Sequence, residues 1–374
     1  MNNSQGGLRA DNNLSISSSG SLNNTSGLIS ANNIVSVKDE GASRSLGISN
    51  GGGTIIGGEL TAIKAAGLSG SGNVMSRGDL NLDLSGNYII EAGAQVIANR
   101  NASLSVGGSL VNAGKVQAGQ TLALNAYSLD NTSSGDINAG TTKVNIGATL
   151  TNRGVIDGVN TQIDAGTLNN FGSGRIYGTA LSIGAGTLNN DVEGGVAATI
   201  ASRGSLDIGA TTITNREHAL IFSSGDMAIG GSLDGNRYAA GAVARLTNAS
   251  ATIQAMGNLA LRAGEITLLN NHFAVEFSPT GQTEHINEYV TQDGTRYDAN
   301  APGVKTVVDS TGNRRLVTPS GARIKDFRQY SFTRTSSTST VTETDPAVIS
   351  AGGNLTVEAY KYAMKTAALW RAKC

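Results

Sequence analysis

Apolar and polar residues alternate along this chain in short pieces, and the pieces recur. Leu110-Val111-Asn112 is followed by Lys115-Val116-Gln117-Ala118 and then by Leu122-Ala123-Leu124-Asn125-Ala126. Period-two alternation predicts strands with one buried face. Gly114, Gly119 and Asn112 stand between the pieces. There the chain must turn, and a positive φ is often needed.

The aliphatic-x-Asn phrase returns as Leu129-Asp130-Asn131, Leu150-Thr151-Asn152, Leu168-Asn169-Asn170, Leu188-Asn189-Asn190 and Ile213-Thr214-Asn215. Leu22-Asn23-Asn24 is an early copy. From Leu110 the steps are 19, 21, 18, 20 and 25 residues. Three short strands per period cannot enclose a core, but periods stacked on one another can. The expected fold is therefore all-β: a right-handed parallel β-helix, or solenoid. Each strand pairs with its equivalent one coil away, about 4.8 Å along the axis.

Leu110, Leu129, Leu150, Leu168 and Leu188 are then expected to form an interior aliphatic ladder. Asn112, Asn131, Asn152, Asn170 and Asn190 form a second one. There each amide bonds to backbone and to the amides above and below, which removes the penalty on burying it.

A second phrase, small-Gly-x-Leu-x-Leu/Ile, marks another strand. It occurs at Gly57-Gly58-Glu59-Leu60, Arg77-Gly78-Asp79-Leu80-Asn81-Leu82 and Gly107-Gly108-Ser109-Leu110. It recurs at Arg203-Gly204-Ser205-Leu206, Met256-Gly257-Asn258-Leu259 and Ala351-Gly352-Gly353-Asn354-Leu355. On this reading residues 1–271 make roughly 13 coils, a rod on the order of 60 Å long.

The pattern breaks near Asn271. All four prolines and 10 of the 16 aromatic residues lie beyond it. Residues 272–345 show no coil period. Asp293-Gly294, between Tyr289-Val290-Thr291 and Arg296-Tyr297, is a hairpin signal. Residues 331–344 are a weakly alternating Ser/Thr tract. This segment is expected to be a protruding, hairpin-rich insertion near the C-terminus. A resumed coil follows at 346–358. The residues from 359 to 374 fit neither texture and are expected to be an irregular or helical tail.

Composition narrows the function classes. Charged residues are 15% of the chain and the net charge is −1, so nothing at whole-chain level calls for nucleic acid or an anionic membrane surface. The single cysteine, Cys374, excludes an internal disulfide and a cysteine-based zinc site. No run approaches the length of a transmembrane helix. Met1 to Arg9 carry no apolar stretch after a basic start, so no export signal is expected in this chain.

The runs Gly20-Ser21-Leu22-Asn23-Asn24, Thr149-Leu150-Thr151-Asn152, Thr167-Leu168-Asn169-Asn170 and Thr187-Leu188-Asn189-Asn190 resemble filamentous haemagglutinin repeats. The break from Leu269-Asn270-Asn271 through Ile286-Asn287-Glu288-Tyr289 to Asp345-Pro346-Ala347 is similar to the segment after the first repeat block of that family. The resemblance spans roughly residues 10–358. It implies a large exoprotein of bacterial two-partner secretion, an adhesin or a contact-dependent growth inhibition effector. It also implies an outer-membrane secretion partner for the full-length protein, an extracellular or cell-surface location, and contact with a receptor or glycan on a host or neighbouring bacterial cell. The family's secretion domain and toxin domain are not recognisable here, so the chain reads as an internal fragment.

Few residues suggest chemistry, and no catalytic, cofactor or metal residues are expected. Arg77-Gly78-Asp79 is an integrin-type tripeptide, but it lies inside the coil phrase that Arg203-Gly204-Ser205 also occupies. Residues 172–178 have the glycines of a phosphate loop without its Lys-Ser/Thr ending, and read as a turn. Of the three histidines, His272 and His285 could meet Glu276 and Glu284 across a hairpin, although exposed loop histidines are the expectation. A β-helix lyase or glycosidase, the alternative class, needs gathered carboxylates. Asp130, Asp136, Asp157 and Asp164 instead fall at different positions of their coils. A third reading, a phage tail fibre, predicts a trimer.

Between 304 and 335, seven basic residues stand against Asp309 and Asp326. Arg314, Arg315, Arg323, Lys325, Phe327, Arg328 and Tyr330 are the candidate contact surface for an anionic glycan or receptor. The chain thus reads as a structural and interaction protein rather than an enzyme. Ending it at residue 271 is predicted to leave a soluble folded rod. Loss of the β-sheet circular dichroism signal in that truncation would count against the division.

Overall fold

The computed structural model describes the backbone of all residues except 42, 366–367 and 372–374. The chain forms two compact units, Met1–His272 with Asp345–Cys374, and Phe273–Thr344. Every described element is a strand, and no described helix is long and apolar enough to cross a membrane.

The first unit is a parallel β-solenoid of about 12 turns. Each coil has three inward faces. In its middle the three alternating pieces fuse into long bent strands, as in Lys115–Asn131, Asp136–Asn152 and Val155–Phe171. The bends are register shifts, between Ala118 and Thr121 and between Ala126 and Leu129.

The register stacks equivalent residues. Val116, Ile137, Ile156 and Ile176 pair in succession on one face, and Leu124, Val144, Ile163 and Ile183 on the next. Leu110, Leu129, Leu150, Leu168, Leu188 and Ile213 pair on the third. Nearly all of these side chains are inaccessible to solvent. Burying each such aliphatic residue contributes about 1.5–3 kcal/mol.

The asparagine ladder lies beside the third aliphatic stack and runs in one direction. The Nδ2 of Asn112 donates to the Oδ1 of Asn131 at 2.8 Å, Asn131 to Asn152 at 2.8 Å, and Asn152 to Asn170 at 2.8 Å. Asn170 donates to Asn190 at 2.8 Å, Asn190 to Asn215 at 2.9 Å, and Asn215 to Asn248 at 2.8 Å. All seven side chains are fully buried. The remaining amide hydrogens reach backbone carbonyls, such as Asn170 to Thr199 O at 3.1 Å and Asn248 to Val348 O at 2.9 Å. A shorter run joins Asn3, Asn24 and Asn50. Between the two runs the ladder position falls to Gly70, which follows the Ser69 paired with Ser49, and to Ile90, opposite Asn112.

Glycine at the coil corners serves this ladder sterically. A Cβ on Gly135 would lie 2.2 Å from Asn131 Oδ1, and one on Gly174 2.4 Å from Asn170 Oδ1. Gly114 and Gly119, expected from sequence to supply a positive φ, do not adopt one. They give room instead: their Cβ atoms would meet Ala94 O at 2.3 Å and Asn99 O at 2.0 Å.

The glycine-leucine phrase proves less regular than its spelling. Leu80 and Leu206 point inward, but Gly107-Gly108-Ser109-Leu110 leads into the asparagine-bearing strand. Leu60 pairs with Asp79 and faces outward, so Thr61 takes the interior position. The Thr61 hydroxyl donates to Met75 O at 2.6 Å and accepts from Gly57 N–H at 2.7 Å, which satisfies a buried polar group.

Among the described residues of 359–371, the expected irregular or helical tail is not found. Leu355–Lys365 pairs in parallel with Leu259–Leu269, and Ala368–Arg371 with Val348–Ala351. The open edge of the preceding coil offers a row of unpaired backbone groups, and that outweighs a weak helical preference in so short a segment. The last residue, Cys374, lies outside the described residues.

The second unit is antiparallel. Ala274–Thr291 pairs with Phe327–Glu343, and Arg296–Asp298 folds back on the first of these through a turn with Gly294 at φ 84°. This is the hairpin marked by Asp293-Gly294. Lys305–Val308, Arg314–Val317 and Arg323–Ile324 form a small second sheet. The unit's core is Tyr289, Val304 and Leu316, with Tyr297, Ile324 and Phe327 packed against them.

Asn170→Ala removes a donor and an acceptor from the ladder and leaves Asn190 Oδ1 without its amide. It is expected to destabilise the solenoid by about 2–4 kcal/mol. Asn145→Ala, on the exposed face, is expected to cost under about 0.5 kcal/mol. Urea unfolding followed by circular dichroism compares the two.

Candidate functional site

The candidate contact residues separate into three groups. Phe327 turns inward: its ring meets Tyr289 edge-on with centroids 5.5 Å apart, and the Arg314 guanidinium lies 5.8 Å above it. Arg315 is tied to Asp309 at 2.7 Å. The Thr311 hydroxyl and then Arg315 hold the Asp309 carboxyl well below the usual carboxylate range. Arg323, Lys325, Arg328 and Tyr330 remain exposed.

Strand register explains the split. Arg328, Tyr330, Phe332 and Arg334 pair with Val290, Glu288, Ile286 and Glu284. Alternation puts these on one face of the long ladder, opposite the face of Phe327 and Tyr289. That face carries two aromatics, Tyr330 at 43% and Phe332 at 45% exposure, between Arg328 and Arg334 and beside Glu288 and Glu284. Lys325, Arg328 and Tyr330 border a shallow groove with Thr291 and Gln292. The sequence showed the basic cluster, while the division between core and face needed the register.

Arg77-Gly78-Asp79 is not a loop tip. Gly78 is buried, and Asp79 lies in the strand Asp79–Leu84. Its carboxylate accepts from Asn101 N–H at 3.1 Å and pairs with Arg100 at 3.3 Å. Residues 172–174 are the turn between Val155–Phe171 and Arg175–Glu193, with Gly172 at φ 58°.

The four carboxylates considered for a lyase or glycosidase have separate partners. Asp130 pairs with Arg153, Asp157 with Arg203 and Asp164 with Arg237, while Asp136 accepts from Gln117. No two of them are register-paired.

The histidines are arranged otherwise than the hairpin pairing considered from sequence. His285 lies in the same strand as Glu276 and Glu284, and its Nδ1 is 2.9 Å from the Thr333 hydroxyl. His272 lies beside His218: the rings stack with centroids 5.9 Å apart and planes 10° from parallel. His272 Nε2 is 2.7 Å from Glu217 Oε2, and His218 Nδ1 is 3.3 Å from Asp345 Oδ2. Donor atoms of His218, His272 and Asp345 lie within 4.8 Å of one another, the one such group of three among the described residues. No local motif joins these positions, so nothing along the chain marks the cluster.

One carboxyl on the solenoid is set against its own ionisation. Asp207 is partly buried beneath the hairpin of Ser232–Leu233 and Ala239–Ala240, where it accepts from Ala239 N–H at 2.9 Å. Desolvation, only partly offset by that bond, raises its pKa. The chain as a whole matches no protein-family model, no curated protein and no solved structure.

Because the folded pKa of Asp207 is raised, its ionised form opposes folding. That penalty is absent below about pH 4, where the unfolded carboxyl is protonated, and grows as pH rises through the folded pKa. Asp207→Asn is therefore expected to raise the thermal midpoint at pH 7 and to leave it unchanged at pH 3, measured by circular dichroism.

Proposed function

We propose that the chain is a segment of the stalk of a secreted bacterial surface adhesin or contact-dependent growth inhibition effector, with a mechanical and presentational role. The observation that carries this reading is the unbroken ladder from Asn112 to Asn248. It satisfies its own buried amides from coil to coil without a cofactor, and it can be extended by any number of further coils. The dispersed and individually paired carboxylates of the outer faces support a shaft over a lyase or glycosidase.

The second unit is the place for recognition on this reading. Arg328, Tyr330 and Phe332 give an exposed face of aromatics and cations, the residue types that dominate contact energetics. A receptor or glycan carrying anionic groups, on a host or neighbouring bacterial cell, fits Lys325 and Arg328 beside Tyr330, where the nearby Glu288 is taken up by Arg296. The resemblance of the repeats to filamentous haemagglutinin points the same way, and brings with it the outer-membrane secretion partner of the full-length protein.

The test is binding of the fluorescently labelled chain to a panel of bacterial and epithelial cells. Tyr330→Ala combined with Phe332→Ala is expected to reduce retention on the cells that bind by about tenfold. Retention unchanged by the pair, binding to none of the cells, or release of reducing ends from a polysaccharide panel would overturn the reading.

A further inference from the structure

His218, His272 and Asp345 are brought together by the coil corners. His218 sits on the corner after Asn215, where Glu217 and His218 both adopt a left-handed backbone, φ 49° and 64°. For non-glycine residues that conformation costs about 1–2 kcal/mol each. The next corner is Ser250: His218 N–H donates to Ser250 O at 2.6 Å, and Ser250 N–H to Leu269 O at 3.0 Å. The Ser250 hydroxyl donates to Asp345 O at 2.8 Å and accepts from Asn271 N–H at 2.9 Å. It thereby fixes the backbone beside His272, where the chain leaves the solenoid, and at Asp345, where it returns.

The cluster has an unmet need. Asp345 Oδ2 is sealed from solvent and has no hydrogen-bond partner; His218 Nδ1, 3.3 Å away, lacks hydrogen-bond geometry. That oxygen is thus served only by the imidazole at ion-pair distance, although the Asp345 side chain as a whole is a third exposed, and a cation between them would serve it better. Glu217 Oε2, 2.7 Å from His272 Nε2, stands as a carboxylate that orients an imidazole, the usual arrangement behind a metal-bound histidine.

We propose that His218, His272 and Asp345 bind one divalent transition cation of the zinc, nickel or copper class, with Glu217 orienting His272. Two imidazoles and a carboxylate select borderline cations over calcium and magnesium, which take oxygen ligands. Tetrahedral donors at about 2.1 Å from zinc are about 3.4 Å apart. Donor atoms already within 4.8 Å need to close by little more than about 1 Å to reach that spacing, and His218, at 67% side-chain exposure, is the ligand that can move while Glu217 holds His272 in place. The ion would clasp the corner of an earlier coil to the residues on either side of the excursion, with a coordination position left for water or a ligand. The site does not depend on the stalk reading.

The test uses the full chain stripped of metal with a chelator and titrated with zinc chloride in a calorimeter. One zinc per chain with micromolar affinity is expected. His218→Gln and Asp345→Asn should each weaken it by about tenfold or more, and His285→Gln should leave it unchanged. Circular dichroism of each variant checks the fold. Should a variant unfold, electron paramagnetic resonance of the wild-type chain with one equivalent of copper(II) decides: coupling to imidazole nitrogen supports the site, and its absence overturns it. No saturable zinc binding, or binding unmoved by both substitutions, would mean a simple His218–Asp345 ion pair and would overturn the proposal.

Discussion

The structure depends on one constraint: each buried asparagine amide must find its partner exactly one coil away. A carboxamide in an apolar interior is costly unless donor and acceptor are both satisfied. The ladder meets this by a head-to-tail chain in which every Oδ1 accepts from the coil before and every Nδ2 donates to the coil after. A slip of one residue would turn the amides outward and the outer polar residues inward. The polar stack therefore specifies register, while the aliphatic stacks beside it supply most of the burial energy.

That constraint orders the rest of the solenoid. Close approach of amide and backbone leaves no room for a Cβ at Gly135, Gly154 and Gly174, so glycine recurs after the asparagines without any need for a left-handed backbone. Where the ladder is interrupted at Ile90, backbone pairing with Leu110–Asn112 and hydrophobic contact carry the coil without an amide bond. Loops of different length, such as the hairpin between Ser232 and Ala240, can be inserted at corners because the paired strands on either side keep their register. The departure to the second unit is the largest such insertion. Val348–Ala351 then pairs with Thr252–Ala255 as the next rung would.

The coil architecture was legible in the sequence because it is written in local spacing. The steps between Leu110, Leu129, Leu150, Leu168 and Leu188 report directly which residues stack. The glycine-leucine phrase was less reliable, since a single-residue offset at Leu60 reverses which side chain is buried. The tail's strands are not legible in the sequence, because their pairing partner is an edge far away along the chain and a short basic-aromatic run has no strong preference of its own. The basic cluster of the second unit was visible, but Phe327 could be told from Tyr330 only once the antiparallel register was known. The grouping of His218, His272 and Asp345 was invisible, because it arises from corners on different coils.

The central claim is most directly tested by hydrogen exchange of the asparagine side-chain amides, followed by nuclear magnetic resonance. The Nδ2 protons of Asn131, Asn152, Asn170 and Asn190 should exchange orders of magnitude more slowly than those of the exposed Asn145. Exchange of all five at the rate of an unstructured peptide would contradict the ladder, and with it the stacked coils.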